Sequence, residues 1–120
     1  MSVELKDEIK DEIENVRRRY AIIKDYLSGA EYELSEVKGC LHEIKEGLSR
    51  IWALYYLHTM KQGKPVSLPT RDILDYIDVA LTLMEANPDL ARLALQFSLT
   101  LSRVKIEDLM AALDILSRLI

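Results

Sequence analysis

The chain has 120 residues, one domain's worth of sequence, of which 49% are hydrophobic and 30% charged; it can bury a core, and wholesale disorder is excluded. Lys plus Arg number 16 and Asp plus Glu 20, a net charge of −4, which excludes a global attraction for nucleic acid or anionic membrane and leaves either to a local basic patch. A single cysteine, Cys40, excludes an internal disulfide framework and fits a reducing, cytoplasmic setting.

No apolar run reaches the ~18 residues of a membrane span. The acidic, amphipathic N-terminus does not read as a signal peptide. Amides are scarce, only Asn15, Asn87, Gln62 and Gln96, while Glu, Lys and Arg abound; that balance reads as a thermophile's composition.

Nothing reads as a strand, and four Gly and three Pro punctuate the chain. The first helix starts at Ser2 as N-cap, with Glu4 and Asp7 at its positive end, and stops at Ser28–Gly29. Gly63–Lys64–Pro65–Val66–Ser67–Leu68–Pro69 is the one clear loop after a long second helix. Thr70 then caps a third helix, with Asp72 in its first turn. Asn87–Pro88–Asp89 is a strong start for a fourth, and Glu107 and Asp108 open a fifth. The expected helices are residues 2–28, 30–62, 70–86, 88–103 and 106–119. The fold class is therefore all-α: one domain over 1–120, with a hairpin of helices at 1–62 and a three-helix part at 70–120.

The first two helices carry a heptad pattern. Ile9, Ile13, Val16, Tyr20, Ile23 and Leu27 form one seam; Leu34, Val37, Leu41, Ile44, Leu48, Ile51, Tyr55 and His58 form the other. A turn at Gly29 is too short for a crossover, so the helices should run antiparallel. It would set Ile23 opposite Leu34, Val16 opposite Leu41 and Ile9 opposite Leu48. One flank of this seam gathers Lys10, Arg17, Lys24, Lys38 and Lys45. Like charges across an interface repel, so this flank is a candidate strip for an anionic partner. The opposite flank holds Cys40, Gly47 and Leu54, with Gly39 adjacent. Two mid-helix glycines cost ~1 kcal/mol each against Ala, and so suggest close approach of another helix backbone.

In the C-terminal part the third helix has a polar stripe of Asp75, Asp78, Thr82 and Glu85. The fourth is apolar nearly all round, with polar Asp89, Arg92, Gln96, Thr100 and Arg103, and should be the most buried element. The fifth has one apolar face of Ile106, Leu109, Met110, Leu113 and Leu116 and a second of Ala112, Ile115 and Leu119. With Gly39, Cys40, Gly47 and Leu54, that second face is a candidate seam for helix packing or self-association. The run Ile51–Met60, apolar on all sides, is expected to be the hub for the last three helices.

No catalytic constellation stands out. His58 reads as a core histidine with one hydrogen bond, Cys40 as a small apolar residue, and His42–Glu46 lacks a second histidine for a metal site. Glu43-Ile-Lys-Glu46 and Asp75-Tyr-Ile-Asp78 resemble the paired acidic motifs of the MazG-like all-α nucleotide pyrophosphohydrolases. That resemblance implies Mg²⁺ held by facing carboxylates; it covers two short stretches, and the second carries Asp where the family has Glu. In size and class, though not in motif, the chain resembles the small helical subunits of CRISPR effector complexes and accessory proteins of archaeal viruses and plasmids, which implies contact with a nucleic-acid backbone through the basic flank. The leading expectation is a non-enzymatic assembly or adaptor module acting through protein–protein contact, self-associating or bound to a helical partner, with no cofactor, metal, membrane or small molecule.

Overall fold

The computed structural model describes residues 3–61, 63, 70–103 and 105–119. Among them are five α-helices and no strand: α1 (Val3–Leu27), α2 (Leu34–Lys61), α3 (Thr70–Ala86), α4 (Ala91–Leu101) and α5 (Ile106–Leu119), with a 3₁₀ turn at Pro88–Leu90 leading into α4. The expected cap Ser2 and the loop residues 64–69 lie outside the described residues.

Each stop has a local cause. α1 ends where Gly29 adopts φ +111°, a left-handed conformation that side chains resist. Gly29 N–H donates to Tyr26 O and Ala30 N–H to Asp25 O, the two bonds of a Schellman motif. Tyr32 Oη donates to Asp25 Oδ2 at 2.9 Å and ties the turn back onto α1. At the other boundary, Pro88 removes a donor and sets a single 3₁₀ turn, so α4 begins three residues later than the sequence suggests. The end of α4 is closed by Lys105, whose ammonium donates to the carbonyls of Leu99, Thr100 and Ser102.

α1 and α2 form the antiparallel hairpin, and the molecule measures 48 × 22 × 19 Å. The heptad seam is the core: Ile9, Ile13, Val16, Ile23, Val37, Leu41, Ile44, Leu48, Ile51, Tyr55 and His58 are buried, and Tyr20, Leu27 and Leu34 are half-buried against them. Ile73, Ile77, Ala80 and Met84 of α3, Ala91 and Leu95 of α4, and Ile106, Leu109 and Leu113 of α5 join the same hydrophobic cluster.

The register differs from expectation. Val16 lies against Gly47, while Arg19 pairs with Glu43 and Glu12 with Arg50. These contacts slide the pairing about five residues, ~8 Å, from Val16 opposite Leu41. The cause is the turn. Residues 28–33 are all spent on it, so α2 starts at Leu34 instead of residue 30 and the centre of the hairpin moves along the chain.

Two expectations about burial are corrected. α4 is not the most buried element: it buries Ala91, Leu95 and Ser98 and leaves Leu93, Phe97 and Leu101 exposed. Nor is Ile51–Met60 an all-round hub. It buries Ile51, Tyr55, His58 and Thr59, while Trp52, Tyr56, Leu57 and Met60 face outward. α3 and α5 pack along the flanks of the hairpin, so only one side of that run is covered.

Candidate functional site

Four of the five cations on the basic flank have carboxylate partners within the chain. Lys38 and Lys45, seven residues apart on α2, pair with Glu85 (3.9 Å) and Asp78 (2.5 Å), seven apart on α3. Arg17 and Lys24, seven apart on α1, pair with Asp114 and Glu107 (3.8 Å), seven apart on α5. The numbers run in opposite directions in both sets, so α3 lies antiparallel to α2 and α5 antiparallel to α1. Matched heptad charges thus border both contacts between the hairpin and the C-terminal helices. Lys10 is exposed and has no ion pair among the described residues. Tyr20 reinforces the α1–α5 contact: burial, with a hydrogen bond to Glu107, raises its phenol, and the same bond holds Glu107 below the usual carboxylate range.

The small-residue flank divides. A Cβ on Gly47 would meet Val16 Cγ2 at 2.5 Å, so this glycine serves the approach of α1. Around Gly39 nothing lies within 4 Å of where a Cβ would sit. Cys40 is buried, and that burial raises its thiol. Leu54 and Ala112 are half-buried, Ile115 is exposed, and the side chain of Leu119 lies outside the described residues. A cleft of ~200 Å³ opens beside Gly47, lined by Glu12, Asn15, Arg19, Glu43, Glu46 and Arg50. Two of its acids are neutralised in the pairs Arg19–Glu43 and Arg50–Glu12, and Glu46 leaves the cleft with one surplus negative charge.

The acidic motifs are likewise engaged: Glu43 by Arg19 and Asp78 by Lys45. Among the described residues no group of three or more His, Cys, Asp or Glu side chains is placed to hold a metal ion. His58 is buried, but its Nδ1 has no hydrogen-bond partner there, unlike the singly bonded core histidine expected. His42 is exposed. No helix among the described residues is long and apolar enough to cross a membrane.

Two features escaped the sequence reading. The first is Arg92, which donates from Nε to Tyr26 O (2.9 Å) and from Nη2 to Ala30 O (3.0 Å) while lying 4.6 Å above the Tyr26 ring. It locks α4 to the tip of the hairpin. The second is the outer face of α4. Leu90, Leu93, Phe97 and Leu101 recur at helical spacing, and Leu93 and Phe97 are 62% and 60% exposed. Leu90, Leu93 and Phe97, with Ala94, Leu83 of α3 and Asn87 just past its end, border an apolar groove of ~310 Å³. The signal was present: a helix apolar all round needs cover on all sides, and three short helices cannot supply it. A second exposed apolar set, Trp52 stacked on Tyr56 at 5.3 Å with Met60 beyond, lies near the end of α2.

Comparison of the chain with known protein families, curated proteins and solved structures finds no match in any of the three.

Proposed function

We propose that this chain is a non-enzymatic helical assembly module whose working surface is the apolar face of α4 with the adjoining end of α3. One observation carries the reading: an uninterrupted stripe of Leu90, Leu93, Phe97 and Leu101, backed by Leu83, lies open to solvent over a groove. Contiguous apolar surface of this kind on a small domain is what interaction sites are made of. A helix face with anchors at such spacing suits another helix better than it suits a small molecule.

The nucleic-acid reading draws no comparable support, because four of the five cations in its proposed strip are paired with Asp78, Glu85, Glu107 and Asp114. The Mg²⁺ hydrolase reading draws none either: Arg19 and Lys45 engage two of its four carboxylates, Glu43 and Asp78, and among the described residues no three such side chains are placed around a common ion.

Photo-cross-linking in the producing cell tests the proposal. A benzoylphenylalanine in place of Phe97 should give a discrete protein adduct, whereas the same residue in place of the exposed His42 should not. No adduct from position 97, or identical adducts from both positions, overturns it.

A further inference from the structure

The ends of this apolar stripe carry opposite charges. Asp89 lies in the 3₁₀ turn before α4, and Arg103 stands beyond its far end, past the extended Ser102, with its backbone N–H donating to Asp72 Oδ2 (2.8 Å); both are exposed. Neither side chain has an ion-pair partner among the described residues, in contrast to the hairpin flank. Between them the exposed residues of the face are uncharged: Leu90, Leu93, Gln96, Phe97, Thr100 and Leu101. Arg92 lies between them in sequence but is turned onto the hairpin tip.

A surface that is acidic at one end, basic at the other and apolar between is complementary to itself when reversed. In an antiparallel pair of helices, like flanks face each other. Turning one copy about a two-fold axis near Gln96 brings Asp89 of each copy to Arg103 of the other. The same rotation sets Leu90 against Leu101 and Leu93 against Phe97. Apolar and charged contacts therefore ask for one register. A parallel pair would stack acid on acid and base on base.

We propose that the face is covered by a second copy of this chain, with α4 antiparallel to α4 and an Asp89–Arg103 ion pair at each end. This rests on reading the face as a docking surface. The area is adequate. Leu83, Leu90, Leu93, Phe97 and Leu101, each 37–62% exposed, present about 500 Å² of apolar side chain. Two copies would cover about 1,000 Å² from these alone, and the polar rim brings the total to the range of small specific interfaces.

Sedimentation equilibrium over a range of concentrations tests the pairing. The wild type should be a monomer–dimer system. Phe97→Glu and, independently, Leu93→Glu should be monomeric; both side chains are exposed, and circular dichroism checks that each variant stays folded. Asp89→Lys and Arg103→Glu should each weaken the dimer roughly tenfold, because like charges then meet at both ends. An equimolar mixture of these two variants should recover wild-type affinity as a heterodimer. At one end of that heterodimer the introduced lysine meets the introduced glutamate, and at the other the native Arg103 meets the native Asp89. A dimer indifferent to Phe97→Glu and Leu93→Glu, or a mixture no tighter than its components, overturns the proposal. A strict monomer also overturns it. A cross-link from position 97 to a different protein would then preserve the docking reading, and no cross-link would remove both.

Discussion

The hairpin flank and the outer face of α4 answer the same question in opposite ways. Both looked unsatisfied in sequence, one through like charges and the other through surplus apolar surface. The flank finds its complement at home: acids at heptad spacing on α3 and α5 meet four of its cations one for one. Among the described residues the α4 face finds none, and Phe97 and Leu93 stay more than half exposed. An unsatisfied pattern therefore shows that a partner is needed without telling whether the partner is inside the chain. Only the fold separates the two cases. Here it pairs four of the charges within the chain and leaves the apolar stripe exposed.

Truncating one leucine on each side of this divide should give the largest contrast. Leu48 is fully buried in the hairpin seam, and Leu48→Ala should cost about 3 kcal/mol in urea denaturation. Leu93→Ala should stay within about 0.5 kcal/mol for the monomer. Similar losses would mean that α4 is covered within a single chain.

The two glycines of α2 sharpen the point next. Gly47→Ala drives a methyl into Val16, whose branched side chain is stiff in a helix, and should cost about 1–3 kcal/mol. Gly39→Ala meets open space and should gain roughly 0.5–1 kcal/mol from helix propensity. Thermal melts of the pair would measure both signs; a loss at Gly39 would show that close backbone approach matters there too.

Much of the fold was legible because periodicity and punctuation are local signals. The heptad seam, Gly29 as the stop of α1 and Asn87–Pro88 as the break before α4 could all be read from neighbours in the chain. The register could not, because it depends on how many residues the turn consumes, and Tyr32–Asp25 settles that through space. The fate of the basic flank was half legible. Asp78 and Glu85 were visible as a stripe on the third helix, and their seven-residue spacing matched Lys38 and Lys45. Nothing local connected the two. The burial of α4 was misjudged for a related reason: its composition fixes how much apolar surface it has, whereas the number of neighbours fixes how much is covered.

Charge docking should show its strength in a double-mutant cycle. Lys45→Glu and Asp78→Lys should each destabilise the monomer slightly, and the double reversal should recover part of the loss. The coupling is expected at about 0.3–1 kcal/mol, because both side chains are well exposed to water, and it should shrink in high salt. Reversing Lys24, Lys38 and Lys45 together should loosen α3 and α5 from the hairpin, which hydrogen exchange on those helices would register.

An effect of similar size, but dependent on pH, lies where α5 meets α1. Interaction with the Tyr20 hydroxyl holds the Glu107 carboxyl below its ordinary range, with Lys24 and Lys105 adding to the same direction. A depressed carboxyl stabilises the fold at pH values above the unfolded range, and the contribution disappears as pH falls through the folded value. Tyr20 mirrors this at the alkaline end. Its phenol is raised from 10.0, so its contribution is present below that pH and is lost as pH climbs through the folded value. Tyr20→Phe should therefore cost roughly 0.5–1 kcal/mol near neutrality, at the low end because Glu107 is half exposed. The gap between the two proteins should narrow on both sides, in acid as Glu107 protonates and in strong alkali as Tyr20 ionises. Stability curves that stay parallel across pH would mean that Tyr20 acts by packing alone. The α5 contact would then rest on its apolar face, Ile106, Leu109 and Leu113, in the way the α4 contact rests on Ala91 and Leu95.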